Sequence, residues 1–306
     1  MSAATGSRRA TTPGGELLGA GLSAAMAVLF AFVVILGETV LRDRLPFVVL
    51  AIRFGGQSLL LFAVLLALRR PLLPEPGERL PLLLAATIGY GSESAFFFTA
   101  LGHGSAAAVT LLFYTYPVFV MVATIALDRR APARVLFVAL GLAIGGSAVV
   151  ILGGGSVEVE PVGIVLALAT ALTYTAYLIV MDRKVHGTDP LTAATWLGLG
   201  AAVANLSFAV AFGALELPRP GSGWSLVGMS AFSAAAFVAM IGGLQLVGAV
   251  RNAIIGVMEP LTVAVLAFVF LSEPVTWSTA VGGVLILGGA VIATLVRTAR
   301  TTEPLV

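Results

Sequence analysis

The chain has 306 residues, of which 59% are hydrophobic and 10% charged, with a mean hydropathy of +1.06 and a formal net charge of +2. Ordinary soluble domains carry about 25% charged residues, so this composition excludes a water-soluble globule and defines an all-α integral membrane protein. The absence of cysteine excludes disulfides and thiolate metal sites, two distant histidines (His103, His186) offer no start for a metal centre, and no basic stripe supports nucleic-acid binding.

Residues 1–16 are polar, with Arg8 and Arg9. They read as a cytosolic tail, and because no clear small-residue cleavage site follows, the first span is retained rather than removed as a signal peptide. A hydrocarbon core of about 30 Å needs roughly 20 apolar residues per helix. Breaking the chain at charged and Pro/Gly clusters predicts ten spans, at roughly 17–38, 46–68, 80–101, 105–127, 133–153, 161–181, 191–214, 224–246, 251–271 and 276–296.

Orientation follows from Lys and Arg in the short loops. With the N-terminus inside, the inner segments hold thirteen basic residues: Arg8, Arg9, Arg69, Arg70, Arg79, Arg129, Arg130, Arg134, Arg183, Lys184, Arg251, Arg297 and Arg300. The outer segments hold Arg42, Arg44 and Arg219, and Arg53 lies within a span. This asymmetry predicts both termini in the cytoplasm and a multi-pass protein of the cell membrane.

The stretch from Ala106 to Gly146 has an echo: adding 143 carries Ala106, Pro117, Gly145 and Gly146 onto Ala249, Pro260, Gly288 and Gly289 without a gap. A duplication of this length covers five spans, an odd number, so the second copy enters the membrane from the opposite side. The expected domains are a tail (1–16), a five-helix repeat (17–153), a Gly-rich linker (154–160), a second, inverted five-helix repeat (161–296) and a C-terminal tail (297–306). Inverted repeats meeting near the midplane are the architecture of secondary transporters. Gly141 and Gly145 are spaced as small-xxx-small and, with Gly288-Gly289, predict close helix packing.

The chain resembles the EamA-type transporters of the drug/metabolite transporter superfamily. The resemblance rests on L-P-F-V-V-L-A-I-R-F in the second span (Pro46, Arg53), on Pro117 and Pro260 in the fourth and ninth spans, and on the acid-bearing turn and Gly-rich last span from Glu273 to Gly289. It implies ten spans in two repeats and export of metabolites or drugs, and is nearly silent on substrate. Two departures stand out: Asp128-Arg129-Arg130 replaces the usual Glu turn in the first repeat, and Trp196-Leu197 stands in the second where the first has Arg53. Any role for Arg53 therefore belongs to one half.

A charge inside a span costs about 2.5 to 3.5 kcal/mol on the insertion scale, which marks Arg53, Glu93 and Glu259, with Glu38 near the outer boundary, as functional candidates. Arg53 and Glu93 both fall roughly 10 to 12 Å below the outer surface. Equal depth permits a static ion pair, or an arginine that exchanges Glu93 for a substrate carboxylate or phosphate. Glu259 precedes Pro260, whose ring loosens the helix ladder. A carboxyl held in apolar surroundings can take up and release a proton, as coupling to a gradient requires, or can stay hydrogen-bonded to a neighbouring helix.

Tyr116 is the counterpart of Glu259. Helical spacing places Tyr114 and Pro117 on one face and points Tyr116 elsewhere. Tyr114 is the expected cavity wall, with Tyr90, Tyr174, Tyr177 and Trp196 as lesser candidates. Gln57, Asn205, Gln245 and Asn252 add hydrogen-bonding groups; Asn252 follows Arg251, itself accounted for by the inside-positive bias. His103 sits at an outer turn beside solvent.

The function expected is secondary transport of a small-molecule substrate, an amino-acid-like solute or drug, through the lipid bilayer by alternating access. Neither cofactor nor metal is required, no phosphate-binding loop supplies energy from a nucleotide, and the protein is a monomer or weak homodimer. The competing readings are an uptake permease, a membrane-embedded enzyme acting on lipids or prenyl groups, and a non-transporting scaffold. The enzyme would need a cluster of Asp, His or Glu at a membrane face; the sequence shows none.

Overall fold

A computed structural model describes residues 12–41, 46–153, 158–218, 221–271 and 276–295. Most of both tails, the centre of the linker, and Arg42, Arg44, Arg219, Glu273, Arg297 and Arg300 lie outside the described residues, as does the side chain of Glu38.

The elements are all helical: α1 (Pro13–Leu41), α2 (Phe47–Ala67), α3 (Arg79–Leu84), a π-helical stretch (Ala85–Gly91), α4 (Ser92–Leu101), α5 (Ala106–Phe113), α6 (Tyr116–Asp128), α7 (Arg134–Leu152), α8 (Pro161–Lys184), α9 (Pro190–Ala211), α10 (Gly223–Val247), α11 (Ala249–Gly256), α12 (Met258–Leu271) and α13 (Trp277–Leu295). Among the described residues, nine helical stretches are long and apolar enough to cross a membrane. The remaining expected span, 80–101, falls on the α3–α4 run, where the π-helical stretch interrupts the α-helix.

Local chemistry explains the ends. Ser105 caps α5 by accepting from Ala108 N at 3.3 Å, Asp189 caps α9 by accepting from Leu191 N at 2.9 Å, and Pro161 and Pro190 occupy first turns, where a missing N–H costs nothing. The predicted fourth and ninth spans are each two helices. Pro117 and Pro260 cannot donate to the carbonyls of Phe113 and Gly256 four residues earlier, and those are the residues where α5 and α11 end. Both α5 boundaries recur 143 residues later in α11, so the helix breaks are duplicated with the sequence.

The repeats meet through a pseudo-twofold contact between α7 and α13. A Cβ on Gly146 would lie 2.6 Å from Gly282 O and 2.8 Å from Ile286 N, whereas one on Gly289 would lie 2.6 Å from Ala139 O and 3.0 Å from Ala143 N. Residues 282, 286 and 289 are 139, 143 and 146 shifted by 143, so the contact is reciprocal. Partner numbers fall as α7 numbers rise, which makes the two last helices antiparallel and the repeats inverted. The same relation pairs α1 with α10 and α4 with α8.

Gly141 and Gly145, expected at this contact, face open space; the close approach belongs to Gly146, one residue on. Gly146→Leu therefore drives a side chain into the α13 backbone and is expected to cost at least about 1–3 kcal/mol, measured as thermal unfolding in detergent. Gly145→Leu, with nothing in its way, is the control expected to unfold near the wild-type temperature.

At the face where α1 begins and α13 ends, here the terminal face, loops of the two halves are tied together. Glu78 accepts from the backbone N–H groups of His186, Gly187 and Thr188 at 2.8, 2.7 and 2.9 Å and from Thr188 Oγ1 at 2.6 Å. Burial pushes its carboxyl up, but the Thr188 hydroxyl and the three N–H donors outweigh it and hold the group below its ordinary value. Thr192 Oγ1 donates to Pro71 O at 2.6 Å, and Arg70 pairs with Asp189 at 3.3 Å.

Arg251, accounted for in the sequence by the inside-positive bias, is buried: it donates to Ala293 O at 2.8 Å and Thr294 O at 2.9 Å and faces Glu16 at 3.5 Å, capping the end of α13. On the opposite face, His103 is half-exposed as expected but also pairs with Glu160 at 3.0 Å, beside a backbone bridge from Gly104 to Val159.

Candidate functional site

Three charges expected inside spans converge. Arg53, on α2, and Glu93, in the first turn of α4, are each 7% exposed. Glu259 stands in the first turn of α12, just after the second helix break, and is half-buried. Arg53 acts electrostatically on both carboxylates, and Glu259 on Glu93. Two acids and one base give the cluster a net charge of −1 when all are ionised.

Among the described residues, Arg53 and Glu93 form no ion pair. The arginine instead donates from Nε to Ser233 Oγ on α10 at 2.6 Å, and its guanidinium carbon lies 4.7 Å from the centroid of the Phe54 ring. The static pair allowed by equal depth is thus not closed in this conformation. Tyr114, at the first helix break, is the hydrogen-bonding neighbour of Glu259.

Tyr116 also faces inward, contrary to the helical-wheel expectation. The α5–α6 break falls between Phe113 and Tyr116, so a spacing rule for a continuous helix does not apply across it. Its hydroxyl donates to Ala253 O at 3.3 Å on α11, joining the two broken helices.

A layer of rings lies beside the charges. Tyr90 packs edge-on against Phe237, Tyr177 and Phe54 at centroid separations of 4.8, 5.5 and 5.6 Å, and Tyr174 meets Tyr116 at 4.7 Å. Tyr90 itself sits in the π-helical stretch, a rare geometry that recurs at functional sites. The Tyr177 hydroxyl is buried without a partner. Shifting Tyr90, Tyr174 and Tyr177 by 143 leads to Ser233, Ala31 and Val34, so the layer occupies only one side of the pseudo-symmetric site. From their positions along α8 and α10, Tyr177 and Phe237 lie toward the terminal face.

Two candidates lie elsewhere. Trp196 donates from Nε1 to Leu72 O at 2.8 Å near the terminal face, and Asn252 accepts from Ser23 Oγ at 2.7 Å, binding α11 to α1. Gln57 donates from α2 to Ala194 O on α9 at 3.1 Å, and Asn205 donates to Ala201 O of its own helix at 2.9 Å and to Ser94 Oγ on α4 at 3.3 Å, each with a buried carbonyl oxygen left over. An apolar groove of about 180 Å³ between α1, α11, α12 and α13 opens on the lateral surface and contains none of the three charges.

Helical inverted repeats with ionisable side chains converging beside two broken helices define a membrane transporter. The pattern of the EamA-like transporter family is matched twice, over residues 17–152 and 161–295, and the chain belongs to that family, within the drug/metabolite transporter superfamily. It is similar to an uncharacterized transporter of Archaeoglobus fulgidus, 26% identical over 270 residues that cover 87% of this chain and 93% of the relative. It is also similar to the uncharacterized transporter YcbK of Bacillus subtilis, 27% identical over 227 residues covering 70% and 72%. A solved crystal structure shares the fold with a TM-score of 0.76 at 19% identity, covering 92% of this chain and 98% of the other. The membrane-enzyme alternative gives way to this membership.

Proposed function

We propose that the protein is a secondary transporter that exports amino-acid-like metabolites or drugs across the cell membrane by alternating access. The supporting observation is an unpaired arrangement: Arg53 and Glu93 share the cluster with Glu259 yet form no ion pair among the described residues. A buried arginine and carboxylate held apart suit a zwitterionic solute, whose carboxylate takes the guanidinium and whose ammonium takes an acid. Tyr114 and the adjoining rings supply apolar walls. Export follows the family resemblance.

In this reading the ten expected spans place the terminal face in the cytoplasm, Glu259 carries the coupled proton, and one protomer or a weak homodimer suffices, since each chain holds the whole cluster. Arg53→Gln, reconstituted and folded, is expected to lower exchange of the transported solute at least about tenfold, because it deletes a charge-assisted bond. Normal exchange by that variant removes the proposal.

A further inference from the structure

Arg53 is held by a residue that no sequence pattern singled out. Ser233 is fully buried on α10, and its hydroxyl accepts from Arg53 Nε at 2.6 Å. A Cβ added to Gly56, one turn along α2 from Arg53, would meet the Ser230 side chain, so the two helices approach closely here. Ser233 lies three residues, roughly 5 Å, deeper than Ser230. The bond therefore draws the guanidinium inward, over the Phe54 ring.

The repeat explains why there is room. The position related to Ser233 by the shift of 143 is Tyr90, whose ring packs against Phe54 and Phe237. A serine at the second-repeat position leaves space for the guanidinium where the first repeat places a ring. Arg53 in turn has Trp196 as its counterpart, which faces Leu72 instead. The Arg53–Ser233 bond thus joins two positions at which the repeats differ.

A guanidinium has five N–H donors. With Nε engaged by Ser233, the end-on edge formed by the two terminal nitrogens is left to face Tyr90, Glu93 and an arriving solute, and that edge is the one that grips a carboxylate in two parallel bonds. Tyr90 and the Phe54 ring also neighbour the guanidinium, but Ser233 is the partner that engages Nε, and losing it frees the head group to turn toward Glu93, which would neutralise the receptor. We infer that Ser233 is a positioning residue that keeps Arg53 off Glu93 and turns its end-on edge toward the carboxylate of the transported solute. This rests on the transporter reading of the same cluster.

The test is the rise in melting temperature of the purified full-length protein with phenylalanine, glutamate or benzoate at millimolar concentration, and with phenethylamine as the probe lacking a carboxylate. Wild type is expected to be stabilised by at least one of the carboxylates. Ser233→Ala is expected to need about tenfold more of it for the same shift, the loss of one charge-assisted bond, while any response to phenethylamine is unchanged. Ser233→Thr, which keeps the hydroxyl, is expected to return most of the response.

A packing role alone lowers the starting temperature of Ser233→Ala without touching the carboxylate response, and that result overturns the inference. Arg53→Gln separates the two levels. If it abolishes the response while Ser233→Ala leaves it intact, only the positioning role fails; if wild type answers no carboxylate, or Arg53→Gln answers as wild type does, both fail.

Discussion

Glu259→Gln is expected to abolish accumulation driven by a proton gradient while leaving gradient-free exchange largely intact. That is the largest single effect expected, a loss of at least about tenfold in the driven rate, because an amide has nearly the shape of the carboxyl and no proton to release. The position supports the assignment on three grounds. Glu259 sits in the first turn after a helix break, where backbone groups are not all committed to the ladder. It is only half-buried among its neighbours, so the surrounding side chains do not enclose it completely. Its neighbours are Tyr114 and, through space, Arg53, which couples its charge to the solute site. Driven and undriven transport measured side by side in proteoliposomes decide the matter: equal gradient dependence in wild type and variant assigns coupling elsewhere.

The second large effect concerns the terminal face. The proposed alternating access requires this face to part, and Glu78 ties it with four bonds to the 186–188 segment of the other repeat. A short thiol-cleavable cross-linker joining Glu78→Cys to Thr188→Cys is therefore expected to reduce transport to background, with full recovery on adding reductant. The chain has no cysteine of its own, so no other thiol can respond. Transport at the uncross-linked rate would show that this face does not open.

Glu78→Ala gives the thermodynamic counterpart. Its cost at pH 7 is about 1–2 kcal/mol, at the low end for four bonds because the carboxylate is half-exposed. The folded carboxyl is held below its ordinary value of 4.5. Its contribution to stability is thus complete above that value and disappears as pH falls through the lower, folded one. Wild type and Glu78→Ala should accordingly unfold at different temperatures near neutrality and converge in strong acid.

Much of this architecture is legible in the sequence itself. Pro117 and Pro260 mark equivalent positions because proline disturbs a helix wherever it stands, and depth along a span is simple counting, so Arg53 and Glu93 could be placed at one level. Rotational detail was less accessible. The spacing rule turns Tyr116 away because it does not see the helix break two residues before it, and of the expected packing glycines Gly289 makes the contact whereas Gly141 and Gly145 do not, Gly146 lying about 100° around the axis from Gly145.

Partners distant in sequence were not legible at all. The role of Glu78 depends on the 186–188 backbone, which meets it from 108 to 110 positions away. Arg251 resembled the other inside-positive charges until the end of α13 closed over it. The shift of 143, applied position by position, contained the clue to Ser233: it stands where the other repeat has Tyr90, in contact range of the one arginine inside a span.

The central claim is that one solute crosses this chain through the cluster of Arg53, Glu93 and Glu259. Counterflow in proteoliposomes containing only this protein tests it most directly, with labelled amino acids, sugars, nucleosides and cationic drugs offered in turn against the same unlabelled solute. The expected result is transient accumulation of at least one amine-bearing solute, lost in Arg53→Gln. Absence of counterflow with every solute, or counterflow that survives Arg53→Gln undiminished, contradicts the account.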